Sequence, residues 1–152
     1  MQERSTGQLR ELYRELILDH ARHPRHFGRP ERYTHEAQGI NPLCGDKLHL
    51  YFRVEQGEVR DAGFEGSGCA ISMASASLLT ETVTGHSEAE ALEAAAGMQA
   101  MLRGEATGAG LGKLEALTGV RDFPSRIKCA SLAWHALRAA LTRHEGKVST
   151  ES

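Results

Sequence analysis

From Asp46 to Glu55 the apolar residues Leu48, Leu50, Phe52 and Val54 alternate with polar ones, and a second extended run, Val59 to Glu65, follows the pair Gln56-Gly57. Alternation at period two places successive side chains on opposite faces of a strand, and a two-residue break ending in glycine is the connection of a tight hairpin. Such a sheet has one apolar face that must be shielded from water. Thr34 to Ile40 reads as one more strand, which completes a three-stranded antiparallel meander. The remainder of the chain is helical in pattern. The combination predicts an α+β fold, a three-stranded sheet packed with about four to five helices.

The helical segments can be placed by their spacing and their punctuation. Leu9, Leu12, Tyr13, Leu16, Ile17 and His20 share one helical face, with Ser5 or Thr6 as N-cap and a stop near Pro24. A second helix begins near Cys69 and runs to Gly85, with Ile71, Ala74, Leu78 and Thr82 at helical spacing. Ser87 and Glu90 form a capping box that opens a third helix, ending at about Leu102. After the glycine-rich loop Gly104 to Gly112, the residues Leu111, Leu114 and Leu117 mark a short helix. Ser125 is the expected N-cap of the last helix, whose face is Ile127, Ala130, Trp134, Leu137 and Leu141. A polar, frayed tail is expected from about 143.

The chain has 152 residues, with 18 Lys plus Arg against 20 Asp plus Glu. That length fits one domain, 1–152, able to bury roughly 70% of its unfolded surface without disulfide support. The near-balanced charge carries no basic excess, so nucleic acid is not an expected partner. The most apolar windows, Ala70 to Leu79 and Ala130 to Leu141, are interrupted by Ser, His or Arg and fall short of the ~20 residues of a membrane span. No membrane partner is expected either. Met1 to Gly7 holds an acidic residue and leads into an amphipathic pattern rather than an apolar signal core, so the expected location is cytoplasmic.

Three cysteines, Cys44, Cys69 and Cys129, are an odd set without a C-x-x-C pair, which argues against a disulfide framework. Each falls at an element boundary. Cys44 lies in the turn Asn41-Pro42-Leu43-Cys44-Gly45-Asp46, where Asp46 follows two residues later. Cys69 closes Gly66-Ser67-Gly68 at a helix start, where unpaired N–H groups and the helix dipole favour thiolate. Cys129 is also near a helix start, shortly after Arg126 and Lys128, whose charges would also favour thiolate. Three thiolates and a carboxylate suit tetrahedral zinc, with Zn–S near about 2.3 Å, and equally an iron-sulfur cluster. With zinc the set would carry a net charge of about −2, which Arg126 and Lys128 would offset from outside the ligand set.

Four ordered segments then resemble a known family, the iron-sulfur assembly proteins of the IscU and SufU type. They are Leu12 to His20, Asn41 to Asp46, Gly66 to Ser77 and Phe123 to Trp134, and the likeness runs from Leu12 to about Leu141. The resemblance implies a three-stranded sheet with helices and a site of Cys44, Asp46, Cys69 and Cys129 at one end. IscU-type members carry His just before the last cysteine and a Leu-Pro-Pro-Val-Lys chaperone motif upstream; this chain has Lys128 and Phe123-Pro124-Ser125-Arg126-Ile127. It also carries an extended segment, about Ala106 to Asp122, like that of SufU-type proteins. The resemblance is therefore to the SufU branch.

That branch implies a zinc-dependent sulfurtransferase, accepting persulfide sulfur from a SufS-type cysteine desulfurase. The resemblance also implies that a histidine of the desulfurase replaces the first cysteine on zinc, which by position makes Cys44 the expected acceptor. The alternative is a scaffold on which a labile [2Fe-2S] cluster, built from iron on the same residues, is assembled and passed to downstream assembly proteins or apo-protein recipients. Other signals are set aside. His20, His23 and His26 straddle a helix end, Gly104 to Lys113 lacks the pattern of a phosphate loop, and Ser72, Ser75 and Ser77 have no evident base beside them.

Overall fold

A computed structural model describes residues 6–142 and 147–149 of the chain. The expected meander is present. Strand β1 (His35–Asn41) pairs antiparallel with β2 (Asp46–Glu55), which pairs antiparallel with β3 (Glu58–Ser67). The β2–β3 connection is the two-residue turn Gln56-Gly57, with φ of 53° and 76°. Positive φ at both central positions matches the twist of the two strands, and explains why glycine holds the second of them.

Register sets the buried face. Ala37 stands opposite Leu50, Leu50 opposite Phe64 and Phe52 opposite Ala62, and all of these are buried. A slip of one residue in any strand would turn this row to solvent. One residue of β3 is looped out where the β2 register shifts between Arg53 and Val54.

Among the described residues, five helical segments accompany the sheet. These are α1 (Thr6–Arg22), α2 (Ala70–Val83), α3 (Glu88–Leu102), a 3-10 segment (Gly112–Asp122) and α4 (Pro124–Leu141). Helix α4 crosses β1 and β2 and packs on α2 and α3, while α1 lies against α2 and the 3-10 segment. Helix α2 is therefore enclosed on several sides. Its run of small residues, with Ser72, Ser75, Ser77 and Thr80 buried among Ala and Leu, permits this close approach. The buried hydroxyls have partners: Ser75 donates to the Ala130 carbonyl (2.6 Å) and accepts from Trp134 Nε1 (3.1 Å). At Gly39 an added Cβ would come within 2.9 Å of Leu132, so glycine there lets α4 lie close on β1.

Several expectations need correction. The last helix is not capped by Ser125: the boundary residue is Phe123, with Pro124 in the first helical position, where its missing N–H leaves no extra donor unpaired. Leu12 is 41% exposed, so the packed face of α1 is Tyr13, Leu16, Ile17 and His20. The helix around Leu114 is longer than expected and has 3-10 geometry. The tail supplies a short strand β4 (Lys147–Ser149), parallel to β1, which extends the sheet to the order β3-β2-β1-β4. It occupies an edge that would otherwise leave backbone groups of β1 unpaired. Ser5, one of the two expected caps of α1, and residues 143–146 of the tail lie outside the described residues. The capping box is as expected, with both Ser87–Glu90 hydrogen bonds made.

Candidate metal centre

The pairing of strand ends brings the cysteine-bearing segments together. Asn41 ends β1 directly opposite Asp46, which begins β2, so Pro42 to Gly45 must form a tight connection. Cys44 N–H donates to the Asn41 carbonyl (3.3 Å), and Gly45 takes a φ of 72°. Leu43 projects from this turn at 68% exposure, while Cys44 itself is half-buried.

On the other side of β2, Lys47 pairs with Ser67, which places Gly68 and Cys69 next to Asp46. Gly66 makes this departure from the sheet possible: its φ is 136°, and a Cβ there would lie within 2.0 Å of the Lys47 carbonyl oxygen. Gly68 is equally confined, since a Cβ would come 2.5 Å from Asp46 Oδ1. Cys69 N–H donates to that same oxygen at 2.8 Å. The Cys69 sulfur caps α2, accepting the Ser72 N–H at 3.5 Å.

Cys129 comes from the second turn of α4 and is fully buried. Its thiol donates to Cys44 Sγ at 3.3 Å, and Ser72 Oγ donates to its carbonyl at 3.3 Å. Ligand atoms of Cys44, Asp46 and Cys129 all lie within 4.8 Å of one another. Cys69 is outside that triad at this separation, although its side chain bears on Cys129. Of the four expected site residues, the structure thus gathers three closely and ties the fourth to Asp46 through its backbone.

The electrostatics depart from the expectation in one respect. Arg126 and Lys128 were expected to favour a Cys129 thiolate, but burial pushes this thiol well up, and its hydrogen bonds with Cys44, Cys69 and Asp46 act the same way. Arg126 is exposed; its own pKa is raised by a hydrogen bond to Cys129, then by the charges of Cys69, Cys129 and Cys44. Its charge is thus within electrostatic reach of all three cysteines. Lys128 is half-buried on α4.

Sequence reasoning missed one participant, Asn41. It is fully buried, and its Nδ2 donates to Asp46 Oδ2 (3.2 Å) and to Cys129 Sγ (3.5 Å). Its place at the head of the turn was visible; its neighbour on α4 was not. A second correction concerns Ser77, whose Oγ lies 2.7 Å from His20 Nδ1. A base does stand beside it. Both side chains are sealed from solvent, however, and the Arg25 N–H occupies the same oxygen, so the pair has no room for a substrate.

Two soft thiols, a buried carboxylate and a third thiol alongside fit a four-coordinate thiophilic metal. All the donors would be anionic with a metal bound, and Arg126 and the Asn41 amide would supply compensating positive charge and donors.

A family model described as the NifU-like N terminal domain matches residues 12–151. The zinc-dependent sulfurtransferase SufU of Bacillus subtilis is 41% identical over 140 residues, covering 89% of this chain and 92% of that protein. The iron-sulfur cluster assembly scaffold protein IscU of Streptococcus pyogenes is 40% identical over 139 residues, covering 90% and 87%. Among solved structures, a candidate iron-sulfur cluster assembly scaffold protein for the SUF system from Fervidobacterium islandicum superposes with a TM-score of 0.81 at 33% identity. That superposition covers 90% of this chain and 99% of the other.

Proposed function

Because the chain belongs to the family of NifU-like N-terminal domains, we propose that it serves iron-sulfur cluster assembly as a zinc-dependent sulfurtransferase, taking persulfide sulfur from a cysteine desulfurase onto Cys44. One observation carries the choice of acceptor. Cys44 sits on the turn between β1 and β2 beside exposed Leu43, whereas Asp46 and Cys129 are buried and Cys69 is built into the start of α2. Of the three thiols, Cys44 has the element that can move without disturbing a helix.

Asp46, Cys69 and Cys129, together with Cys44, would hold the zinc. When bound, zinc keeps thiols deprotonated at neutral pH, since a coordinating thiol gives up its proton. In the transfer, the Cys44 thiolate attacks the outer sulfur of the desulfurase persulfide. The S–S bond of that persulfide breaks, an S–S bond to Cys44 forms, and the desulfurase departs as a thiolate. No external oxidant or reductant is consumed. Arg126, exposed and within electrostatic reach of all three cysteines, would stabilise the anionic sulfur as it arrives.

The relative named as an IscU scaffold favours a second reading, in which the same four residues hold a [2Fe-2S] cluster in transit. The two readings differ in what the purified protein contains and in what the Cys44→Ser variant does. Protein isolated without air should carry about one zinc per chain and no acid-labile sulfide, given four protein ligands for one ion. It should accelerate a SufS-type desulfurase, and Cys44→Ser should abolish that acceleration. Transfer at an unchanged rate by Cys44→Ser with zinc retained refutes the acceptor assignment. Iron and sulfide in near-equal amounts, transferable to an apo-protein, establish the scaffold instead.

A further inference from the structure

Asn41 is a polar residue with no exposure, in a position where the fold could have used an apolar one. Its two donor contacts run to the side chains of Asp46 and Cys129, one on β2 and one on α4. Its carbonyl oxygen Oδ1 is also buried and has no partner among the described residues. A buried amide whose carbonyl goes unanswered is a net burden on folding unless its donor end does something the protein needs. The amide can face only one way, because its carbonyl would be repelled by the Asp46 carboxylate.

The arrangement around Asp46 extends the argument. Its Oδ1 accepts the Cys69 N–H and its Oδ2 accepts the Asn41 amide, so each oxygen has a fixed donor from the protein. The same amide reaches Cys129 Sγ, and an N–H directed at a thiolate offsets part of its charge. Cys44 is not among the hydrogen-bond partners of the Asn41 side chain. The side-chain donor therefore serves the two buried candidate ligands and makes no hydrogen bond to the Cys44 sulfur on the turn.

We propose that Asn41 is a positioning residue of the metal centre: its amide clamps Asp46 and Cys129 together, so that the metal stays bound while Cys44 is detached. The inference rests on the sulfur-acceptor reading for its purpose, but its test needs no desulfurase, so the two can fail separately. A zinc loss in Asn41 variants with a failed transfer assay would leave the clamp standing and remove only its use.

The test is zinc affinity, read by competition with a chromophoric chelator, for Asn41→Leu in the wild-type and Cys44→Ser backgrounds. Removing an outer partner of a metal ligand typically weakens binding about 10- to 100-fold, and that is the loss expected in the wild-type background. In the Cys44→Ser background the loss should be larger still, because the clamped pair then carries more of the binding. The cobalt-substituted variant should also show a shifted sulfur-to-metal charge-transfer band. Metal-free Asn41→Leu loses the unanswered carbonyl but also the donor to Asp46 Oδ2, so its melting temperature should stay near the wild-type one. Asn41→Ala provides the same readings if the leucine variant does not fold. Wild-type zinc affinity with an unchanged cobalt spectrum overturns the proposal. So does an equal loss in both backgrounds, and so does a metal-free destabilisation large enough to account for the weaker binding.

Discussion

Replacing Gly68 by alanine tests whether Asp46 is held where the metal centre requires it. The Gly68 backbone is not in the left-handed region, so alanine brings no intrinsic strain there. Its new Cβ would stand 2.5 Å from Asp46 Oδ1, 3.1 Å from Cγ and 3.2 Å from Cβ. To reach an ordinary contact the carboxylate must recede by about 0.9 Å, and with only 1% exposure Asp46 has no solvent to move into. The movement would stretch both the Cys69 N–H bond at 2.8 Å and the Asn41 bond at 3.2 Å. Overpacking of this kind costs about 1–3 kcal/mol, or roughly 3–10 °C in melting temperature for a domain of this size. With Asp46 a zinc ligand as proposed, displacing it and its supports should weaken zinc binding by about 10- to 100-fold, or about 1.4–2.8 kcal/mol. Thermal melts of the metal-free protein and chelator competition for zinc measure the two effects. In a double-mutant cycle, adding Asp46→Ala removes Oδ1 and Cγ and leaves only the milder 3.2 Å approach of Cβ, so Gly68→Ala should cost much less in that background. Wild-type melting and zinc affinity in Gly68→Ala, or an undiminished penalty beside Asp46→Ala, would refute the reasoning.

Further outcomes follow from the packing. His20 and His135 are both held below the ordinary imidazole value of 6.5, in each case first by burial, then by Arg25 for His20 and by Arg138 and Arg103 for His135. The unfolded chain therefore takes up these protons at higher pH than the folded protein. The stability involved is whole above about pH 6.5 and is lost as the pH falls below it. The urea midpoint should fall between about pH 7.5 and about pH 5.5, and by less in His135→Gln. Ser75→Ala leaves the Trp134 N–H and the Ala130 carbonyl without their shared partner, and should lower stability by about 1–3 kcal/mol in urea unfolding. Ser87→Ala removes the cap of α3 and should cost about 0.5–2 kcal/mol, while Ser87→Asp should cost much less.

What could be read in the sequence is what depends on near neighbours. The alternation Leu48, Leu50, Phe52 and Val54 located β2 to its observed ends, Gln56-Gly57 located the turn, and Ser87 with Glu90 located the start of α3. Each is a local pattern that the sheet or helix then imposes. The failures needed information from residues distant in the chain. Leu12 shares the helical spacing of Tyr13 and Leu16, but the described residues leave it 41% exposed. Lys147–Ser149 is too short to announce a strand, and it becomes one by pairing with β1 far earlier in the chain. His20 finds its partner Ser77 across 57 residues. At the site, the boundary positions of the cysteines were legible because glycine and proline mark them. Asn41 was not, because its role depends on the β1–β2 register and on α4 crossing β1, and no local pattern encodes either.

The account stands most directly on where transferred sulfur is found. The zinc-loaded protein would be mixed with a cysteine desulfurase and cysteine for a single turnover, quenched by alkylation, digested and analysed by mass spectrometry. The account predicts one added sulfur on the peptide that carries Cys44, with the peptides of Cys69 and Cys129 unchanged. Added sulfur on Cys69 or Cys129, or none on Cys44 while the desulfurase still turns over faster, would contradict it.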